Sequence, residues 1–233
     1  IRKLTMMYLI GAGGIGCYLA PGLSRIAHPS DSVCIYDGDL VEKKNLTRQM
    51  YTSDDIGKPK ANILASRYGF SVNPFWFDEN ATVREKSVIF CAADNVPCRK
   101  DVLTVADKSD CIAIIGGNET WSSEAYIYFP QWKGSEYDPR TYYPTILTDE
   151  TGRPSADCHS DESVAKNPQT VTANMMAAAL MLKLFFCWAN EKGRLLPGYS
   201  DGKTRPVHIR SERFIMSDML TKSSKQKKGD RAT

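Results

Sequence analysis

Gly11, Gly13 and Gly16 stand in a Gly-x-Gly-x-x-Gly spacing directly after the apolar run Met6 to Ile10, with Gly14 inside the same cluster. Glycines at that spacing permit a tight turn and let a phosphate approach the backbone. A helix beginning there offers unpaired N–H groups and a partial positive charge. Asp37 follows Gly16 by 21 residues, at the end of a second apolar run, Ser32 to Tyr36. A carboxylate in that place can accept hydrogen bonds from ribose hydroxyls. The two features describe a nucleotide site. By themselves they suit an NAD-dependent oxidoreductase as well as an enzyme that consumes ATP.

The residues that follow separate these readings. Asp37-Gly-Asp39 leads into Asn45-Leu-Thr-Arg48-Gln49, then Gly57-Lys-Pro-Lys60, and later Ala93-Asp94-Asn95 with Arg99. This ordered set resembles the signature of the ThiF/MoeB/HesA-type adenylyltransferases of the ubiquitin-activating-enzyme-like superfamily. The resemblance covers about residues 6–117 well and the remainder in outline.

The resemblance implies an enzyme that uses ATP and Mg²⁺ to adenylylate the C-terminal carboxylate of a ubiquitin-like or sulfur-carrier protein ending in glycine. Two anions meet in such a reaction, and the leaving pyrophosphate gathers charge, so cations must offset it. Arg48 offers a planar fork to phosphate oxygens and Lys60 a compact charge. Asn45 and Gln49 would add neutral hydrogen bonds. By the same resemblance Asp94 would hold Mg²⁺, which favours few carboxylates plus phosphate and water, and Asp39 would shape the loop or assist the metal. The implied cofactor-binding set is therefore Gly11, Gly13, Gly14, Gly16, Asp37, Asp39, Asn45, Arg48, Gln49 and Lys60. Two other acceptors share this chemistry on paper, a peptide carboxylate and a small-molecule carboxylate. Taken singly, the same residues have plain structural readings: Arg48 and Lys60 as surface charges, Asn45 as a turn residue, Asp94-Asn95 as a helix cap.

Relatives of this type often pass the acyl group to a cysteine ahead of a late helix. Cys158, in Ser155-Ala-Asp-Cys158-His159-Ser-Asp-Glu, occupies a comparable place. It is either an acceptor thiol or a passive loop cysteine. Asp157, Asp161 and Glu162 disfavour a thiolate there unless His159 carries charge beside it. The resemblance also implies a homodimer. A basic residue reaching the neighbour's ATP from a helix before the first strand is not matched by Arg2, which adjoins that strand. The chain starts at Ile1, so residues upstream of it are expected in the full protein.

These groups need a frame, and the frame is legible as alternating elements. Strands are expected at 6–10, 32–36, 70–77, 87–91, 111–116, 123–129 and 207–216, with helices from the glycine turn to about Ile26, then 58–68, 95–107 and 170–191. That alternation predicts an α/β, Rossmann-like, doubly wound, mostly parallel sheet. An antiparallel segment follows, and residues 130–168 form a long crossover loop. Residues 1–220 read as a single adenylation domain. Residues 221–233, with five Lys/Arg against one Asp, read as a basic, disordered tail. The net charge is +3, and removing that tail leaves a nearly neutral body, which gives no case for a specific nucleic-acid partner. Seven cysteines, several inside apolar runs and none in a CxxC pair, point to reduced thiols in a cytoplasmic protein and to no zinc site. The apolar stretch 175–188 reads as too short to cross a bilayer, so no membrane partner is expected.

Overall fold

The computed structural model describes residues 6–27, 32–120, 122–152, 169–191 and 211–215. Its elements run β1 (Met6–Ile10), α1 (Gly14–Ile26), β2 (Ser32–Tyr36), α2 (Lys60–Tyr68), β3 (Ser71–Asn73), β4 (Val88–Cys91), α3 (Val96–Lys108), β5 (Ile112–Asn118), β6 (Ser122–Tyr128), α4 (Pro139–Tyr142), α5 (Val171–Glu191) and β7 (Ser211–Ile215). The strands form one sheet in the order β3-β2-β1-β4-β5-β6-β7. β3, β2, β1, β4 and β5 pair in parallel, and β6 and β7 are added antiparallel. This is the Rossmann-like doubly wound sheet with an antiparallel extension.

The parallel strands are short, apolar and buried on both faces: Leu9, Ile35, Ile89, Phe90 and Ile114 are fully enclosed, as expected where helices cover both sides. α1 packs against α2 and α5, and α3 packs on β4 and β5. The helices following β1 and β2 thus lie on the face opposite the helix between β4 and β5, because each crossover is right-handed. Strand order reverses between β1 and β4, which opens a crevice at their carboxyl ends.

Three expectations change. Of the stretch 70–77, residues 71–73 pair with β2, and the chain then leaves the sheet at Pro74. A proline supplies no N–H for a ladder, and Trp76 and Phe77 turn toward the crevice instead. Residues 130–152 are not a structureless loop. They contain two 3₁₀ turns and α4, and Arg140 ties them to α3 through Asp107 at 2.9 Å and to β6 through the Tyr128 hydroxyl at 2.7 Å. Finally, α5 is a 21-residue helix, long and apolar enough to cross a membrane by length and composition alone. Here it packs into the core: Ala177 and Met181 are fully enclosed and Leu184 nearly so. A Cβ on Gly22 or Gly116 would meet Leu182 or Met181 at 2.4 Å, so these glycines let α5 sit close against α1 and β5.

Candidate nucleotide site

The crevice holds a cavity of about 570 Å³, and Gly11, Gly13, Gly14, Asp37, Asp39, Asn45, Arg48, Gln49, Lys60 and Asp94 all line it. Its floor is the glycine turn. Gly11 has φ +94°, and a Cβ there would meet the Ala93 nitrogen at 3.0 Å, so no other residue satisfies both constraints. A Cβ on Gly13 would meet nothing within 4 Å. Gly13 is also the N-cap of α1, and no side chain caps that helix. Its first N–H groups therefore remain available to an anion. The neighbouring α3 differs, because the Asn95 side chain accepts from Cys98 N at 2.8 Å. The plain capping reading therefore holds for Asn95.

Gly16, unlike Gly11, Gly13 and Gly14, does not line the cavity. It faces the turn after β1, where a Cβ would lie 1.9 Å from the Gly11 carbonyl oxygen. Its role is the close approach of helix to strand.

Asp37 braces the turn. One carboxylate oxygen accepts from Ala12 N at 2.6 Å and the other from Asp39 N at 2.8 Å. The Tyr51 hydroxyl donates to the Ala12 carbonyl at 2.6 Å, so Ala12 is held from both sides. Burial, opposed chiefly by the charge of Lys60, raises the Asp37 carboxyl to about 6. Each oxygen keeps a second lone pair for a ligand hydroxyl.

The wall between β2 and α2 carries the cations. A 3₁₀ turn, Lys43–Thr47, closes with a capping box in which the Asn45 side-chain oxygen accepts from Glu42 N at 2.8 Å. The Asn45 amide nitrogen can donate to a ligand while its oxygen holds the turn. Lys60, the first residue of α2, is almost fully buried and pairs with Asp39 at 2.7 Å. Asp39 thus acts first as a tether for Lys60. Gln49 lines the cavity and is buried, with its side-chain oxygen enclosed and without a hydrogen-bond partner. Cys17 sits behind this wall with its sulfur accepting from Met50 N at 3.3 Å, and burial pushes its thiol up to about 11, which makes it a packing residue. Cys158 lies outside the described residues, as do Arg2, His159 and residues 216–233.

Several site residues were not read from the sequence. Gln169 accepts from Arg48 Nη1 and donates to Asp94 Oδ2 at 3.2 Å, joining the two rims. Asn174, enclosed on α5, donates to the Arg48 carbonyl at 3.3 Å and accepts from Asn118 at 3.0 Å. It also lies where a Cβ on Gly14 would be, at 2.7 Å. Ile10, Tyr36, Trp76 and Phe77 make the apolar end; Phe77 meets Tyr36 edge-on, and Trp76 lies over Gly38. Local sequence offers no signal for Gln169 and Asn174, whose side-chain partners are 56 to 126 residues away. The aromatic cluster at 75–77 was a signal, spent on extending a strand.

The residues present fit a nucleoside triphosphate with Mg²⁺. The open α1 terminus and the cations Arg48 and Lys60 face one cavity, and the Asp94 carboxylate suits a metal that takes its other ligands from phosphate and water.

Comparison with known proteins agrees with this geometry. The NEDD8-activating enzyme E1 catalytic subunit of Caenorhabditis elegans is 27% identical over 187 residues, covering 66% of this chain and 42% of that protein. The SAMP-activating enzyme E1 of Haloferax volcanii is 32% identical over 108 residues, covering 41% of this chain and 38% of that protein. The chain thus spans less than half the length of these curated relatives. The crystal structure of selenomethionine PaaA shares the fold, with a TM-score of 0.54 at 17% identity over 91% of this chain and 73% of that one. The sequence model of the ThiF family matches residues 1–211, and this chain belongs to the ThiF family.

Proposed function

We propose that this chain adenylylates the C-terminal carboxylate of a ubiquitin-like or sulfur-carrier protein, consuming ATP and releasing pyrophosphate. The observation that carries the reading is the pairing of an uncapped α1 N-terminus with Arg48, Lys60 and Asp94 around one cavity. An oxidoreductase would use the glycine turn and Asp37 but has no need of the Arg48 guanidinium, the Lys60 ammonium and the Asp94 carboxylate gathered beside them. The relatives support the acceptor class, being named as activators of NEDD8 and of SAMP, and as an adenylyltransferase and sulfurtransferase.

In this reading the purine occupies the apolar end formed by Ile10, Tyr36, Trp76 and Phe77, and the ribose hydroxyls donate to Asp37. The α1 N–H groups and the Arg48 fork take the phosphate oxygens, and Lys60, oriented by Asp39, adds positive charge. A terminal carboxylate is already ionised at neutral pH, so it attacks the α-phosphorus without a general base. The side chains have to position two anions and stabilise the charge that passes to pyrophosphate. Asp94 would hold Mg²⁺, which supplies charge neutralisation across the phosphates. Residues 1–220 then form the adenylation domain, a cytoplasmic homodimer is its expected form, and thioester transfer to Cys158 is an optional second step.

The test is carrier-dependent exchange of labelled pyrophosphate into ATP, using small β-grasp proteins with glycine ends. Arg48→Ala and Asp94→Ala should each lower exchange by on the order of 10²–10³-fold, and chelation of divalent cations should stop it. Wild-type activity in either variant would remove these residues from the site. Weighing the trapped acyl-AMP separates a protein acceptor from a small carboxylate. A carrier adduct that thiol reductant releases, and that is lost in Cys158→Ala, would establish the thioester.

A further inference from the structure

Arg48 and Asp94 carry opposite charges on opposite rims of one cavity, and between them stands a neutral amide. Gln169 turns its carbonyl oxygen to the guanidinium and its NH₂ to the carboxylate. Both bonds respect the polarity of the amide, and both of its ends are used at once. Arg48 is held independently, since its own carbonyl accepts from Asn174. Asp94 sits on the turn between β4 and α3, which Asn95 caps. The two walls are therefore set by separate elements, and Gln169 spans the gap between their charged side chains.

An arginine and an aspartate across a narrow cleft tend to pair directly when nothing intervenes. A direct pair would spend the guanidinium on the carboxylate, leaving less cation for phosphate and less anion for a metal. We infer that Gln169 is a positioning residue that keeps Arg48 and Asp94 apart, each hydrogen-bonded but neither neutralised, so that the first faces the triphosphate and the second its divalent cation. This inference rests on the adenylylation reading of the same site. Both hydrogen bonds of Gln169 go to the charged rims, so its effect falls on ligands that bring phosphates and metal.

The test is calorimetric titration of the full chain with Mg·ATP and, separately, with adenosine. Gln169→Ala should weaken Mg·ATP binding by about tenfold, the range of one or two hydrogen bonds to charged groups, and leave adenosine affinity unchanged. Gln169→Met keeps the side-chain length and removes both bonds; it should weaken Mg·ATP equally, with an unaltered melting temperature. Gln169→Glu should weaken it further, because its carboxylate pairs with Arg48 and repels Asp94. If Gln169→Ala binds Mg·ATP as the wild type does, the inference fails and the adenylylation reading stands. A parallel loss of adenosine affinity also overturns it, since that marks general damage to the site. If the wild type binds adenosine but no Mg·ATP, the adenylylation reading fails and takes this inference with it.

Discussion

Asp37 serves two ends that pull against each other: its carboxylate must accept from Ala12 N and Asp39 N, yet it is buried where charge is costly. Its folded value, about 6 against 3.8 for a free aspartate, has a definite consequence for stability. As pH rises between these values the unfolded chain has lost a proton that the folded chain keeps, so the contribution of Asp37 to stability falls across that window and is level below it. The stability of the wild type minus that of Asp37→Asn should accordingly drop by roughly 2–3 kcal/mol from pH 4 to pH 7. Denaturant titration at several pH values measures this, and a difference that stays flat or rises would show that burial does not dominate. Single residues were legible when their own chemistry announced them. Asp37, Arg48, Lys60 and Asp94 are charged groups at telling intervals in a short stretch of chain. Gln169 and Asn174 are ordinary amides, and nothing about an amide discloses which backbone it will meet.

At the scale of elements, the glycine turn divides its labour by direction. Gly16 points into the packing of α1 on β1, and Gly13 points into open space. Gly16→Ala must push backbone against backbone and should cost about 3 kcal/mol of stability. Gly13→Ala should leave the melting temperature close to wild type and weaken Mg·ATP binding, because the methyl group projects where a phosphate would approach. Thermal melts and titration on the two variants give opposite patterns if this holds; a large stability loss in Gly13→Ala would refute it. The strand–turn–helix unit itself was readable, since apolar run, glycines and amphipathic helix are all local. The end of β3 was not, because continued hydrophobicity at 75–77 looks the same whether the side chains join a sheet or line a cavity. Only Pro74 marked the change. Similarly, the polar composition of residues 130–152 concealed an anchored segment, because Arg140 finds Asp107 on α3 and Tyr128 on β6 rather than a neighbour in sequence.

For the whole molecule, the sheet order β3-β2-β1-β4-β5-β6-β7 places the site at the one reversal of strand order, but a fold of this kind serves dehydrogenases and adenylyltransferases alike. The choice between them is made by the cavity. Mg·ATP should bind at least tenfold more tightly than NAD, because Arg48 and Lys60 answer a dense triphosphate charge that NAD does not carry. Competitive titration decides, and tighter binding of NAD would return the chain to the oxidoreductases. By itself the sequence determined the fold class, the nucleotide turn, and the cations and carboxylates of the site. These follow from periodicity and from residue types at short intervals. The tertiary structure decided what those groups do to one another: that Asp39 tethers Lys60, that Gly16 packs against the turn outside the cavity, and that an α5-side amide stands between Arg48 and Asp94. The last of these depends on which surfaces meet when α5 closes on α1 and β5, and its hydrogen bonds across 75 and 121 residues leave no trace in local composition.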